Sequence, residues 1–324
     1  MGSDVTTQNA VFEDSNPGFI EISGADRVRF LHNLSTNNIE ALKPGQTQLT
    51  TVTNQTGRTL ELLTVLAGED SLSLLFSGES ADSLYSLFDM YIFPRDKVAI
   101  DNRSDKLSAI SVFGDLSILS DQDVLTPERG CFTQTQIDDT SVTIIHGSGL
   151  TLDGFTVLAE KDQARKIVSF LTKSGFGNEI NENEWDLRRI LDGRPLVGKE
   201  LTEDFNPLEA GLWKTVSFIK GCYIGQETIA KLKTYDGVKQ NLYGVEFSEP
   251  VPVGEKLFAG DNRAGVVTSC IAADDGKGIG LAYIRRKFGG AGLQVQAQNG
   301  VKGVVQEIPF ATRTVEECAD PVPN

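Results

Sequence analysis

Lys220-Gly-Cys-Tyr-Ile-Gly-Gln-Glu227, KGCYIGQE, sets a thiol and a phenol between two glycines and closes on an amide and a carboxylate. The pattern predicts a loop that opens a helix, because Ile229 and Leu232 continue an apolar face and Gly237 supplies a stop. Gly221 and Gly225 permit backbone conformations and close approaches that a side chain would prevent. Cys222, placed just ahead of a helix start and two residues from Lys220, would have its thiolate favoured by both. Gln226 and Glu227 have the reach for an amide or amino edge of a heterocycle, or they cap the helix. Tyr223 either offers a stacking face or anchors the loop in the core. Cys222 reads as functional but not as a hydrolytic nucleophile. Only His32 and His146 could serve as imidazole bases, and nothing local brings either to it.

Upstream of the octapeptide, residues 194–219 carry two prolines and two glycines with little periodicity, a length of irregular chain that compact domains reserve for function. Downstream, six short alternating segments separated by glycine turns, at 242–247, 255–258, 264–271, 278–284, 293–297 and 301–308, predict a small barrel or sandwich. The N-terminal half repeats a pattern of hairpin and then helix. Strands are expected at 19–22, 46–53, 58–66 and 71–76, and a helix with Leu84, Leu87, Phe88 and Tyr91 on one face stops at Pro94. A second set has strands at 141–146 and 154–159 and a helix with Ala164, Ile167, Phe170 and Leu171 aligned. Ser23 and Asp26 resemble a capping box for a helix over 25–34. A further helix over 185–192 ends at Gly193. The fold class is therefore α+β, with two antiparallel-sheet-plus-helix lobes and a C-terminal β-barrel.

Composition narrows the function. A chain of 324 residues, 40% of them hydrophobic, can bury a large core. Its formal charge of -15 disfavours sequence-independent binding to nucleic acid or anionic membranes, so neither is expected as a direct partner. Cys131, Cys222, Cys270 and Cys318 are scattered, which suggests no metal or cluster ligand set and a reducing compartment. No signal peptide, transit peptide or apolar span is read from the sequence. The expected location is the cytoplasm, or the matrix or stroma of an organelle if a presequence has been removed.

The octapeptide resembles the signature of YgfZ-type folate-binding proteins, relatives of the glycine-cleavage T-protein, an aminomethyltransferase. The resemblance extends to Arg27–Asn37, RVRFLHNLSTN, to Pro207-Leu-Glu-Ala-Gly-Leu212 and to Gly278-Ile-Gly-Leu-Ala-Tyr-Ile284. It implies a three-part ring around a channel: a first lobe over 15–100, a second over 101–238 with the signature loop, and a barrel over 239–315, the two lobes exchanging segments. It also implies tetrahydrofolate or a derivative as cofactor, with iron-sulfur proteins or their assembly machinery as partners, including tRNA-modifying cluster enzymes.

Alignment with the T-protein pattern places Glu61 and Leu62 where that enzyme has two acids, and Leu191 where it has a pterin-binding glutamate. One acid of three survives, which counts against aminomethyl transfer of the T-protein type. The expected working residues are Cys222 and Lys220, with Tyr223, Gly225, Gln226, Glu227, Glu61, Lys231 and Arg285 toward folate and no metal ligands. Lys231 and Arg285, the latter opening Arg285-Arg-Lys287, are candidates for a carboxylate tail. Glu209 is expected to structure its loop. Two other readings stand beside the accessory protein: a folate-dependent aminomethyltransferase or demethylase, and a scaffold without catalysis.

Overall fold

The computed structural model describes residues 8–315 and 317, so Cys318 lies outside the described residues. The chain divides into two compact units, Met1–Val52 with Glu61–Glu182 and Thr53–Leu60 with Asn183–Asn324.

The first unit holds two sheets. One runs in the order β3-β4-β5-β2-β6, from β2 (Gly18–Ser23), β3 (Thr47–Thr53), β4 (Thr59–Ala67), β5 (Ser71–Phe76) and β6 (Ala99–Asn102). The other has the order β11-β1-β7-β10-β9-β8. Its strands are β1 (Ala10–Asp14), β7 (Leu107–Phe113), β8 (Phe132–Ile137), β9 (Thr140–His146), β10 (Gly154–Glu160) and β11 (Asn178–Glu179). The N-terminal strand β1 thus pairs with β7 of the second sheet instead of joining the first.

Phe19 and Leu66 of the first sheet share a buried cluster with Leu107, Ala109, Ile145 and Leu158 of the second. Helix α1 (Arg27–Leu34) and helix α2 (Ala81–Met90) follow β2 and β5, and a single turn, α3 (Ser117–Ser120), follows β7. Helix α4 (Ala164–Lys173) buries Ala164, Ile167, Val168 and Leu171, an i, i+3, i+4, i+7 stripe. Val168 replaces the expected Phe170 on that face; Phe170 packs partly buried at its border.

The expected capping box does not form. Ser23 ends β2, the left-handed Gly24 (φ +99°) turns the chain, and the Asp26 carboxylate accepts the Lys97 N–H at 2.9 Å instead of capping α1. The second unit contains helix α5 (Glu182–Asp192, its first residue closing the first unit) and helix α6 (Gln226–Thr234). Its six strands are β12 (Gln240–Phe247), β13 (Lys256–Ala259), β14 (Asn262–Ala272), β15 (Gly278–Arg285), β16 (Gln294–Ala297) and β17 (Lys302–Gln306). They close as β12-β15-β14-β13-β16-β17, so no strand edge is left open. The α+β class with a C-terminal six-stranded barrel is therefore the observed fold.

Between α5 and α6 the irregular segment is held by buried polar contacts. The Arg189 guanidinium, fully buried, donates to Glu200 Oε2 (3.1 Å), to the Arg194 carbonyl (3.0 Å) and to Ser269 Oγ (3.0 Å). Ser269 Oγ donates to Glu200 Oε1 (2.6 Å), and the Leu196 N–H donates to Glu200 Oε2 (3.1 Å). Ser269 follows a β-bulge in β14, the kind of irregularity that re-aims a side chain. The Tyr283 hydroxyl donates to the Glu200 carbonyl (2.9 Å), and the Phe205 ring stacks on Tyr283 at 3.5 Å. Segment and barrel wall are one packed body.

Candidate functional site

Three pieces of chain meet around KGCYIGQE within the second unit: residues 53–60, the 203–209 segment and the start of α6. The turn after β3 is organised by Asn54, whose carbonyl accepts Gly57 N–H (2.9 Å) while its side-chain oxygen accepts the N–H groups of Thr56 and Arg58 (3.0 Å each). Gly57 takes the left-handed conformation (φ +72°) that closes such a turn. The turn is fastened to the irregular segment by Thr59 N–H to the Phe205 carbonyl (3.0 Å) and by Arg58 Nη1 to the Asp204 carbonyl (2.8 Å).

Against this turn lies the signature loop. Thr53 Oγ1 donates to the Ile224 carbonyl at 2.6 Å. Gly225 (φ +82°) follows, and a Cβ there would fall 2.6 Å from the Asn54 carbonyl oxygen and 2.8 Å from Gly57 Cα. Both features restrict position 225 to glycine.

Tyr223 is buried with Leu208, Val216, Ile229 and Val238, and the Lys220 ammonium sits 5.0 Å from its ring centroid. The ring therefore anchors the loop and is not an open stacking face, a correction to one of the two expected roles. Burial raises its phenol to about 12, so it stays protonated at neutral pH. Cys222 is exposed, a free thiol of the loop, and Ile219, three residues earlier in the chain, is 95% exposed. Helix α6 starts at Gln226, four residues on, so Cys222 lies outside the first turn, where the helix dipole acts. Gln226 Nε2 turns back to the Gly221 carbonyl (3.3 Å), bracing the loop.

The remaining expected residues are dispersed. Glu227 and Lys231 pair with each other at 2.6 Å on the exposed face of α6, and that hydrogen bond lowers the Glu227 pKa. Arg285 is exposed at the end of β15 and donates to the Arg263 carbonyl at 3.4 Å, whereas its neighbour Arg286 grips Asp236 with both nitrogens. Glu61, in the first unit, is buried; its carboxylate accepts the Leu62 N–H (2.8 Å) and the Ser80 hydroxyl.

Sequence reading did not single out Thr53, Asn54 or Gly57, whose contacts with the loop lie about 170 residues away along the chain. Glu209 has the structural role expected of it. Its carboxylate accepts Asn206 N–H (3.2 Å) and lies 3.6 Å from Arg58 Nη1, and burial raises its pKa above the ordinary 4.5. A raised carboxyl pKa means the folded state holds its proton longer than the unfolded chain, so stability falls as pH rises from about the unfolded value through the folded one. The variant Glu209→Gln is expected to flatten that fall in a urea-unfolding series from pH 4 to 8; an unchanged slope would contradict the assignment.

A reduced folate, the cofactor that the resemblance implies, would need buried acceptors for the N–H groups of its pterin. Among the described residues, two buried acceptors lack a protein hydrogen-bond partner: Gln48 Oε1 in the first unit and Thr59 Oγ1 in the second. Such atoms are costly unless a ligand or water completes them. No group of His, Cys, Asp and Glu among the described residues could hold a metal ion, and no helix among them is long and apolar enough to cross a membrane.

The family model described as the GCVT N-terminal domain matches residues 3–220. A chloroplastic "putative transferase" of Arabidopsis thaliana is 33% identical over 309 residues, covering 94% of this chain and 71% of that protein. The aminomethyltransferase of Bacillus subtilis is 30% identical over 330 residues, covering 95% and 89%. Among solved structures, the glycine cleavage system aminomethyltransferase T from Bartonella henselae superposes with a TM-score of 0.80 at 20% identity, over 95% of this chain and 88% of that one, a likeness of fold.

Proposed function

This chain belongs to the GCVT family, the T-protein or aminomethyltransferase superfamily, and on that premise we propose that it is a tetrahydrofolate-binding accessory protein of the YgfZ type. In this reading it supports the assembly or repair of iron-sulfur clusters in client enzymes, tRNA-modifying ones among them, and Cys222 acts in a thiol-dependent step. The observation that carries the proposal is the complete octapeptide held as a braced loop: its tyrosine is sunk in the core, its second glycine is locked against residues 53–57, and its thiol is exposed. Sites that present one reactive group from an ordered frame lose little entropy when a ligand arrives.

A second reading, folate-dependent aminomethyl transfer, is favoured by the 30% identity to the Bacillus subtilis aminomethyltransferase. Two features weigh against it. Leu62 and Leu191 stand where the T-protein pattern has acids, and Glu61 is already committed to Ser80 and the Leu62 N–H.

Calorimetric titration with tetrahydrofolate, its methylene and formyl forms and an unrelated pteridine tests the common part of both readings. Saturable binding of a reduced folate and none of the control is expected; no binding of any reduced folate would remove the ligand from the proposal. Ammonia release from an aminomethylated carrier in the presence of tetrahydrofolate would shift the choice to the transferase.

A further inference from the structure

The geometry points to Thr53 as the positioning residue of the Cys222 loop, holding it through the Ile224 carbonyl from a hairpin 171 residues away in sequence. The inference rests on the reading of KGCYIGQE as the working loop.

The restraints on the loop divide into two sides. On the side before Cys222, Lys220 is nearly buried and its ammonium lies over the Tyr223 ring, while Gly221 supplies a carbonyl to Gln226 Nε2 at a long 3.3 Å. Beyond Cys222, Tyr223 enters the core, and the chain then has to reverse into α6 within two residues, Ile224 and Gly225. The shortest polar contact on that side is Thr53 Oγ1 to the Ile224 carbonyl, at 2.6 Å. The helix-entry bonds are weaker: Gln226 N–H to the Tyr223 carbonyl and Ile229 N–H to the Gly225 carbonyl are both 3.3 Å.

Thr53 is 2% exposed, so its hydroxyl has little bulk water to turn to and is committed to the Ile224 carbonyl, a half-buried acceptor that loses this donor in a valine variant. The same hydroxyl also shapes the neighbouring residue, since a Cβ at Gly225 would sit 2.8 Å from Thr53 Oγ1. Hydroxyl and glycine are complementary halves of one contact. The contact needs the hydroxyl as a donor: valine keeps the volume and loses the donor, whereas serine keeps the donor.

Tryptic cleavage after Lys220 reports on this contact, because the bond is cut only when the loop opens locally, and cleavage then follows the population of the open form. Three proteins are compared with the wild type: Thr53→Val, Thr53→Ser and Gly225→Ala, the last pressing on the contact from the other side. Cleavage after Lys220, identified by mass, is expected to rise about tenfold in Thr53→Val and Gly225→Ala and to stay within twofold of wild type in Thr53→Ser, with thermal midpoints of Thr53→Val and wild type alike. That tenfold corresponds to about 1.4 kcal/mol of local opening. Wild-type cleavage in Thr53→Val, or acceleration in Thr53→Ser equal to that in Thr53→Val, would overturn the assignment. If Thr53→Val lowers the global midpoint, Thr53→Ser decides: cleavage within twofold of wild type supports the role of the hydroxyl, and a rise of about tenfold overturns it. The assay contains no folate. A wild-type protein that fails to bind folate but shows this cleavage pattern would sink the functional reading and leave the positioning role intact.

Discussion

Replacing Glu200 with alanine is expected to destabilise the second unit by about 3–5 kcal/mol, the cost of breaking a buried ion pair by removing one partner. The Glu200 carboxylate is fully buried and serves three donors: Arg189 Nη1, the Leu196 N–H and Ser269 Oγ. Without it the Arg189 guanidinium keeps Asp186 at 2.6 Å, but that carboxylate is a quarter exposed and already shared with Lys199. A desolvated positive charge would be left with half its compensation, and the Leu196 N–H would lose its acceptor. Urea unfolding followed by the fluorescence of Trp185 and Trp213, both in the second unit, should show a lower midpoint at similar slope. The double replacement Arg189→Met with Glu200→Met should recover most of the loss, because apolar side chains of similar volume need no partner. A loss below about 1 kcal/mol for Glu200→Ala would mean that water reaches the pair and that the segment is not pinned there.

That network also shows where sequence reading stops. The barrel strands were legible because short apolar segments, alternating in burial in β16 and β17, are separated by glycine turns; every predicted segment overlaps an observed strand, and 278–284 lies inside Gly278–Arg285. Strand β7 was not read. It lies between β1 and β10 and is buried on nearly every residue from Leu107 to Phe113, so it lacks the polar alternation that marks a half-exposed strand. Strand β1 is five residues long and pairs with β7, a partner about 100 residues on, which no local pattern announces.

Arg189 and Glu200 look like ordinary surface charges in a chain with 75 of them, because burial of a charge depends on the fold around it. The capping box failed for a local reason, the left-handed Gly24, which sends Asp26 to Lys97. In the candidate site the octapeptide itself was legible as a loop entering a helix. Its support was not, since Thr53, Asn54 and Gly57 carry no motif and become relevant only by proximity.

Cys222→Ser is expected to leave stability within about 0.5 kcal/mol of wild type while abolishing the restoration of cluster-dependent enzyme activity in cells that lack the native protein. The first half follows from exposure. The thiol is exposed on the loop, outside the buried cluster that holds Tyr223, and serine differs from cysteine there by one atom. The second half follows from chemistry. A sulfur nucleophile attacks or exchanges with soft centres, whereas a serine hydroxyl without a base does neither. Structure and chemistry thus separate at this position, the reverse of Glu200, where removal changes the fold first. Urea unfolding of the purified variant supplies the control: an unchanged midpoint with lost restoration assigns the loss to the thiol. Full restoration by Cys222→Ser would reduce KGCYIGQE to a well-braced turn and move the search for the working group to Lys220, whose ammonium the loop holds over the Tyr223 ring.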